Sequence, residues 1–152
     1  MFDNDLGTLF IDPVFSPSSS PYILNLTADN GVLPEATLPV SIYVASEPVY
    51  DGLFSFAFYQ DLPINEELFP EPFYRALIVS HGFESGIKTF EVVSGTLPDG
   101  VKLSSSGEFS GTPTQLFASS SILDIRITET VNGIETFSTI ITIDIEIAAK
   151  PF

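Results

Sequence analysis

Between Phe137 and Ile147 the chain alternates with a period of two. Phe137, Thr139, Ile141, Ile143, Ile145 and Ile147 fall on one side, and Ser138, Ile140, Thr142, Asp144 and Glu146 on the other. That period belongs to a strand with one buried face, because successive side chains of a strand point to opposite sides of the sheet. The stretch SILDIRITE repeats it, with Leu123, Ile125 and Ile127 inward and Asp124 and Arg126 outward. Between the two runs, VNGIE holds Asn132-Gly133, a pair suited to the positive φ angles of a two-residue hairpin turn.

The same reading extends upstream. YILNLT places Tyr22, Leu24 and Leu26 on one face; after the turn former ADNG, TLPVSIYVA places Leu38, Val40, Ile42 and Val44 on one face. LFSFAFY stacks Phe54, Phe56 and Phe58, and PFYRALIVS, IKTFEVVSG and GVKLSSSGEF read as further strands. No window carries a helical stripe, and INEELF (64–69) is expected to form one short turn before Pro70. Several short strands separated by turn formers predict an all-β sandwich over residues 63–152. Residues 22–62 read as a β region, either a separate small unit or an extension of that sandwich. Residues 1–21 mix Phe2, Leu9, Phe10 and Phe15 with Pro13, Pro17 and Pro21, so an extended arm that packs on something is expected there. That something is either the chain's own domain or a neighbouring subunit.

Residues 95–113, GTLPDGVKLSSSGEFSGTP, concentrate the turn chemistry. Leu97-Pro98-Asp99-Gly100 forms a tight turn in which proline presets φ and glycine accepts a positive φ. Val101 and Leu103 make an inward pair, Ser104-Ser105-Ser106-Gly107 reverses the chain, and Phe109 returns to the core. Gly111-Thr112-Pro113 ends the excursion, since proline blocks a longer ladder.

This pattern resembles the He_PIG-type Ig-like domain family of bacterial and phage surface proteins, related to dystroglycan-type cadherin-like repeats. The matching positions are Phe90-Glu91-Val92, Gly95-Thr96-Leu97-Pro98, Gly100-Val101-Lys102-Leu103 and Gly107 through Pro113, within a likeness that spans about residues 63–148. Pro72-Phe73-Tyr74 fits the place where that family begins its first strand. Val101 stands where the family favours leucine, and the calcium-binding acidic runs of true cadherins are not recognisable. The resemblance implies an immunoglobulin-like β-sandwich and carries no metal with it.

Charge narrows the partners. Twenty Asp and Glu against five Lys and Arg leave a formal net charge of −15, so polyanions such as nucleic acid, or an anionic membrane surface, are repelled at long range. The cations Arg75, Lys88, Lys102, Arg126 and Lys150 are dispersed. Chemistry is sparse as well. With no cysteine there is no thiol nucleophile, and with one histidine structural zinc is not expected. His81 reads as a solvated loop imidazole, and Glu66-Glu67, adjacent and such as would point apart in a strand, make a poor acid/base pair. Calcium on carboxylates such as Asp29 or Asp99 is the remaining metal option, and no cofactor is expected. The sequon Asn25-Leu26-Thr27 reads as a coincidence within a strand.

The N-terminus has two acids where a secretory leader has a basic start, no run is apolar enough to span a bilayer, and AAKPF ends without a sorting signal. The expectation is a non-enzymatic structural protein of a bacteriophage virion, assembled in the host cytoplasm. A capsid decoration or cement protein on the major capsid protein comes first, within a large oligomeric assembly. Phe2, Leu9, Phe10 and Phe15 are then the partner-binding anchors. A tail fibre, baseplate or connector subunit, or an Ig-like repeat of a bacterial adhesin, is the alternative.

Overall fold

The computed structural model describes residues 2–3, 8–9, 16–18, 21–28, 31, 36–116 and 120–150. The chain divides into two compact units, Met1–Ser46 and Glu47–Phe152.

Among the described residues the first unit contains four strands: β1 (Phe2–Asp3), β2 (Thr8–Leu9), β3 (Tyr22–Ala28) and β4 (Ala36–Ile42). They pair as two separate antiparallel ribbons, β1 with β2 and β3 with β4. The β3–β4 ladder sets Tyr22 against Ile42, Leu24 against Val40 and Leu26 against Leu38. Residues directly opposite share a face, so these six side chains form one apolar side of the ribbon. Ile23, Asn25 and Thr27, with Ser41, Pro39 and Thr37 opposite them, form the other. Ahead of β3, the Ser18 N–H donates to the Val44 carbonyl at 3.1 Å and the Tyr22 hydroxyl to the Ser16 carbonyl at 2.9 Å.

The second unit contains β5 (Val49–Tyr50), β6 (Ser55–Tyr59), β7 (Val79–Ser80), β8 (Ile87–Ser94), β9 (Val101–Leu103), β10 (Phe109–Gly111), β11 (Ser121–Val131) and β12 (Ile134–Ala148). Its main sheet runs β6-β12-β11-β8. All pairs in it are antiparallel except β6 with β12, which is parallel. Asn132, at φ 52°, and Gly133, at φ 78°, turn β11 into β12, as their sequence predicts.

The inward rows of this sheet supply most of the core: Leu123, Ile125 and Ile127 from β11, Ile143, Ile145 and Ile147 from β12, Phe56 and Phe58 from β6. A second layer covers them, built from the β9–β10 hairpin and the segments hydrogen-bonded beside it. Leu77 N–H donates to the Gly107 carbonyl at 2.8 Å, and Ile64 N–H to the Gly111 carbonyl at 2.8 Å. Leu77, Ile64, Val101 and Phe109 face the sheet from that side. Phe109 joins the layers through ring contacts of 4.9 Å to Phe56 and 5.8 Å to Phe58. Burying a side chain of this size contributes roughly 1.5–3 kcal/mol. The chain is therefore all-β, with no α-helix among the described residues.

Two expectations differ from the structure, the single strand across PFYRALIVS and the place of Phe54. The division between the units falls after Ser46, so residues 47–62, part of the span left open between a separate unit and an extension of the sandwich, lie in the second unit. The physical cause is β6, whose ladder partner is the last strand of the chain. PFYRALIVS is not one strand: Pro72–Tyr74 form a 3-10 turn, and only Val79–Ser80 pair. Proline at the start supplies a φ that suits this turn, and the Arg75 N–H closes it onto the Pro72 carbonyl at 3.0 Å. Phe54 does not share the buried row of Phe56 and Phe58; it precedes β6 and is 56 % exposed. INEELF forms the expected short turn before Pro70, with Phe69 N–H on the Asn65 carbonyl at 2.9 Å, and Glu66 and Glu67 lie in it.

Candidate interaction surfaces

The stretch 95–113 is fully described, and its residues serve turns and core. Gly95, Gly100, Gly107 and Gly111 all have φ between 85° and 100°. Pro98 and Pro113 are buried, as are Val101 and Phe109, while Leu97 and Leu103 pack against the core edge. Gly100 and Gly111 are locked together: a side chain at Gly111 would strike the Gly100 carbonyl, and one at Gly100 would strike the Thr112 carbonyl. Thr112 N–H donates to the Gly100 carbonyl at 3.0 Å, closing the turn. In the serine turn, Ser104 Oγ accepts from the Glu108 N–H at 3.0 Å.

Two charged groups are buried that the sequence reading did not single out. Glu129 continues the inward row of Leu123, Ile125 and Ile127, and period-two counting carried one step further would have found it. Its Oε1 accepts from the Phe83 N–H at 3.0 Å and lies 3.2 Å from the Lys88 ammonium. Its Oε2 accepts from the Thr136 hydroxyl at 3.0 Å. Thr136 reaches it because the ladder jumps there from Glu129–Phe137 to Thr130–Glu135, leaving Thr136 as the extra residue of a bulge. Side chains at Gly82 and Gly86 would collide with the Glu129 carboxylate, so loop 81–86 fits closely over it. His81 sits exposed at the start of that loop, with φ 61°.

Arg75 is the other, 6 % exposed. Its guanidinium pairs with Glu66 at 3.0 Å and with Glu108, and its Nε donates to the Phe69 carbonyl at 3.1 Å. Local sequence gives no sign of this, because its partners come from two separate segments, the turn before Pro70 and the stretch around Glu108. Both sites are fully partnered, and no buried side-chain polar atom among the described residues lacks a hydrogen bond.

The outer face of the main sheet carries Asp124, Asp144, Arg126 and Glu91 among Thr142, Ile122 and Ile140. Arg126 pairs with Glu91 at 3.1 Å, and Asp124 accepts from the Thr142 hydroxyl at 2.7 Å. Ile122 and Ile140 are 64 % and 56 % exposed there. Among the described residues no group of three or more His, Cys, Asp or Glu side chains could hold a metal ion. Asp99 is exposed at its turn, and Asp29 lies outside the described residues. No helix among the described residues is long and apolar enough to cross a membrane.

Of the proposed arm anchors, Phe2 and Leu9 oppose each other as backbone partners of the β1–β2 ribbon. Phe10 and Phe15 lie outside the described residues. The β3–β4 ribbon offers a surface that the anchors do not include. Its apolar side is only partly covered, and Leu38 is 62 % exposed.

No protein-family model matches the chain, and no curated protein matches it significantly.

Proposed function

We propose that this chain is a non-enzymatic structural protein of a bacteriophage virion, seated on the outer capsid surface as a decoration or cement protein. The observation that carries this reading is the use made of residues 95–113: every glycine serves a turn and every proline a chain stop or the core. The stretch that resembles phage and bacterial surface modules is thus a scaffold. The packing of the largely antiparallel main sheet against a second β layer over a common core supports an Ig-like sandwich. A net charge of −15 favours an outward position, away from packaged DNA. Binding then falls to the first unit and to the faces of the sheets, and Phe2, Leu9, Phe10 and Phe15 are the arm residues assigned to the capsid contact.

The test is to purify particles from the phage whose genome carries the gene and to locate the chain in them by antibody labelling and electron microscopy. Labelling over the head supports decoration. Labelling confined to the tail moves the protein to a fibre, baseplate or connector. Its absence from particles, with presence on a bacterial surface, replaces the reading with an adhesin repeat. Deleting residues 1–20 is expected to abolish capsid occupancy, and unchanged occupancy removes the arm from the contact.

A further inference from the structure

The β3–β4 ribbon has two edges, and they differ. Asn25 faces Pro39 across the ladder. Proline has no N–H, whereas a hydrogen-bonded antiparallel pair exchanges two such bonds, so Asn25–Pro39 is a non-hydrogen-bonded pair. By alternation Ile23, Asn25 and Thr27 then turn their backbone groups to the outer edge of β3, and Thr37, Pro39 and Ser41 theirs to the outer edge of β4. The β4 edge lacks its central donor and is blocked to a further strand. The β3 edge has no proline, and among the described residues β4 is the one strand paired with β3.

Charge selects the occupant of that edge. The chain carries 20 acidic and five basic residues, yet neither β3, YILNLTA, nor β4, ATLPVSI, contains any. A cationic partner strand would find no acids to meet on β3. A second copy of this acidic chain meets no like charge along a neutral segment, and β3 is one.

We infer that two copies of this chain pair through the outer edges of β3, antiparallel about a two-fold axis at Asn25, to form the four-stranded sheet β4-β3-β3-β4. In that register Asn25 opposes Asn25 of the second copy, Ile23 opposes Thr27, and Leu24 opposes Leu26. The outward-facing groups of Ile23, Asn25 and Thr27 become the hydrogen-bonded pairs. Leu24 and Leu26 take the non-hydrogen-bonded pairs, where side chains come closest. Residues of even number meet residues of even number, so the apolar side of one ribbon continues into that of the other. A slip of one residue would set apolar against polar positions and destroy this match. The driving force is the joining of two partly covered apolar sides into one, since three or more strands with a hydrophobic face are more stable than two. Pro39 at each far edge stops further addition, giving a closed dimer rather than a filament.

The chain has no cysteine, so single substitutions report the register directly. Hydrogen-bonded antiparallel partners lie about 5.5 Å apart at Cα, within disulfide range. Full-length Asn25→Cys is expected to form a covalent dimer on mild oxidation. Ile23→Cys and Thr27→Cys are each expected to stay uncross-linked alone and to form a heterodimer when mixed. The unsubstituted chain is expected to sediment as a dimer, and Asn25→Pro, which removes an outward donor and leaves the β3–β4 ladder intact, as a monomer. Sedimentation of the unsubstituted chain as a monomer at all concentrations overturns the dimer, and equal cross-linking at all three positions overturns its register. These measurements use the purified chain, so they stand or fall apart from the virion reading.

Discussion

Glu129 and Lys88 form an ion pair of 3.2 Å in which the carboxylate side chain is 2 % exposed and the lysine side chain 23 %. The two ends are therefore unequal: the ammonium can still reach water, and the carboxylate cannot. Lys88→Met leaves an uncompensated buried charge and is expected to destabilise the chain by about 3 kcal/mol. Glu129→Gln keeps an acceptor for the Phe83 N–H and frees a lysine that remains hydrated, so it is expected to cost less. The double variant is expected to be more stable than Lys88→Met alone. Urea unfolding of the three variants measures this order.

The glycines of the second unit divide by what surrounds them. Gly100, at φ 86°, has the Thr112 carbonyl where a Cβ would go, whereas Gly133, at φ 78°, has nothing within 4 Å. Gly133→Ala is expected to cost about 1–2 kcal/mol from backbone strain alone. Gly100→Ala adds a clash with rigid backbone and is expected to lower the midpoint of thermal unfolding much further. Calorimetry of the two variants separates strain from collision.

The faces of the main sheet should respond in opposite ways. Ile125 has 0 % exposure and Ile140, across the same hairpin, 56 %. Ile125→Ala leaves a cavity and is expected to cost roughly 2–5 kcal/mol. Ile140→Thr is expected to stay within about 0.5 kcal/mol of the parent. Equilibrium denaturation of both reads the difference.

Burial pushes the Tyr50 phenol from 10.0 up to about 12, while its hydroxyl donates to the Leu53 carbonyl. The folded chain then holds a proton that the unfolded chain releases. The stability linked to this proton is fully present below pH 10, falls as pH rises and is lost above about pH 12. Titration of phenolate absorbance should show a late step that is absent in Tyr50→Phe.

Much of the second unit was legible because its signals are local. Alternation located β11, β12 and the buried part of β6, and Asn132-Gly133 located the turn between the long strands. The glycines of 95–113 announced their positive φ angles. The apolar side of β3–β4 was equally legible, residue by residue. Phe54 was misplaced because periodicity does not say where a strand begins. PFYRALIVS misled for a related reason: Phe73 and Tyr74 are exposed, Leu77 is buried beside Gly107, and only Val79–Ser80 enter a ladder.

What the sequence by itself determined is the all-β character, the turn positions and which side chains of each strand share a face. These follow from φ preferences and a period of two, which act within a few residues. Tertiary structure alone decided that β6 lies parallel to β12, with Ser55 opposite Asp144 across 89 residues of chain, and hence where the two units divide. It also decided that Glu129 would meet Lys88, the Phe83 N–H and Thr136, and that Arg75 would be enclosed. Backbone hydrogen bonding carries no label for its distant partner, so such pairings are selected only when the two layers close over a common core.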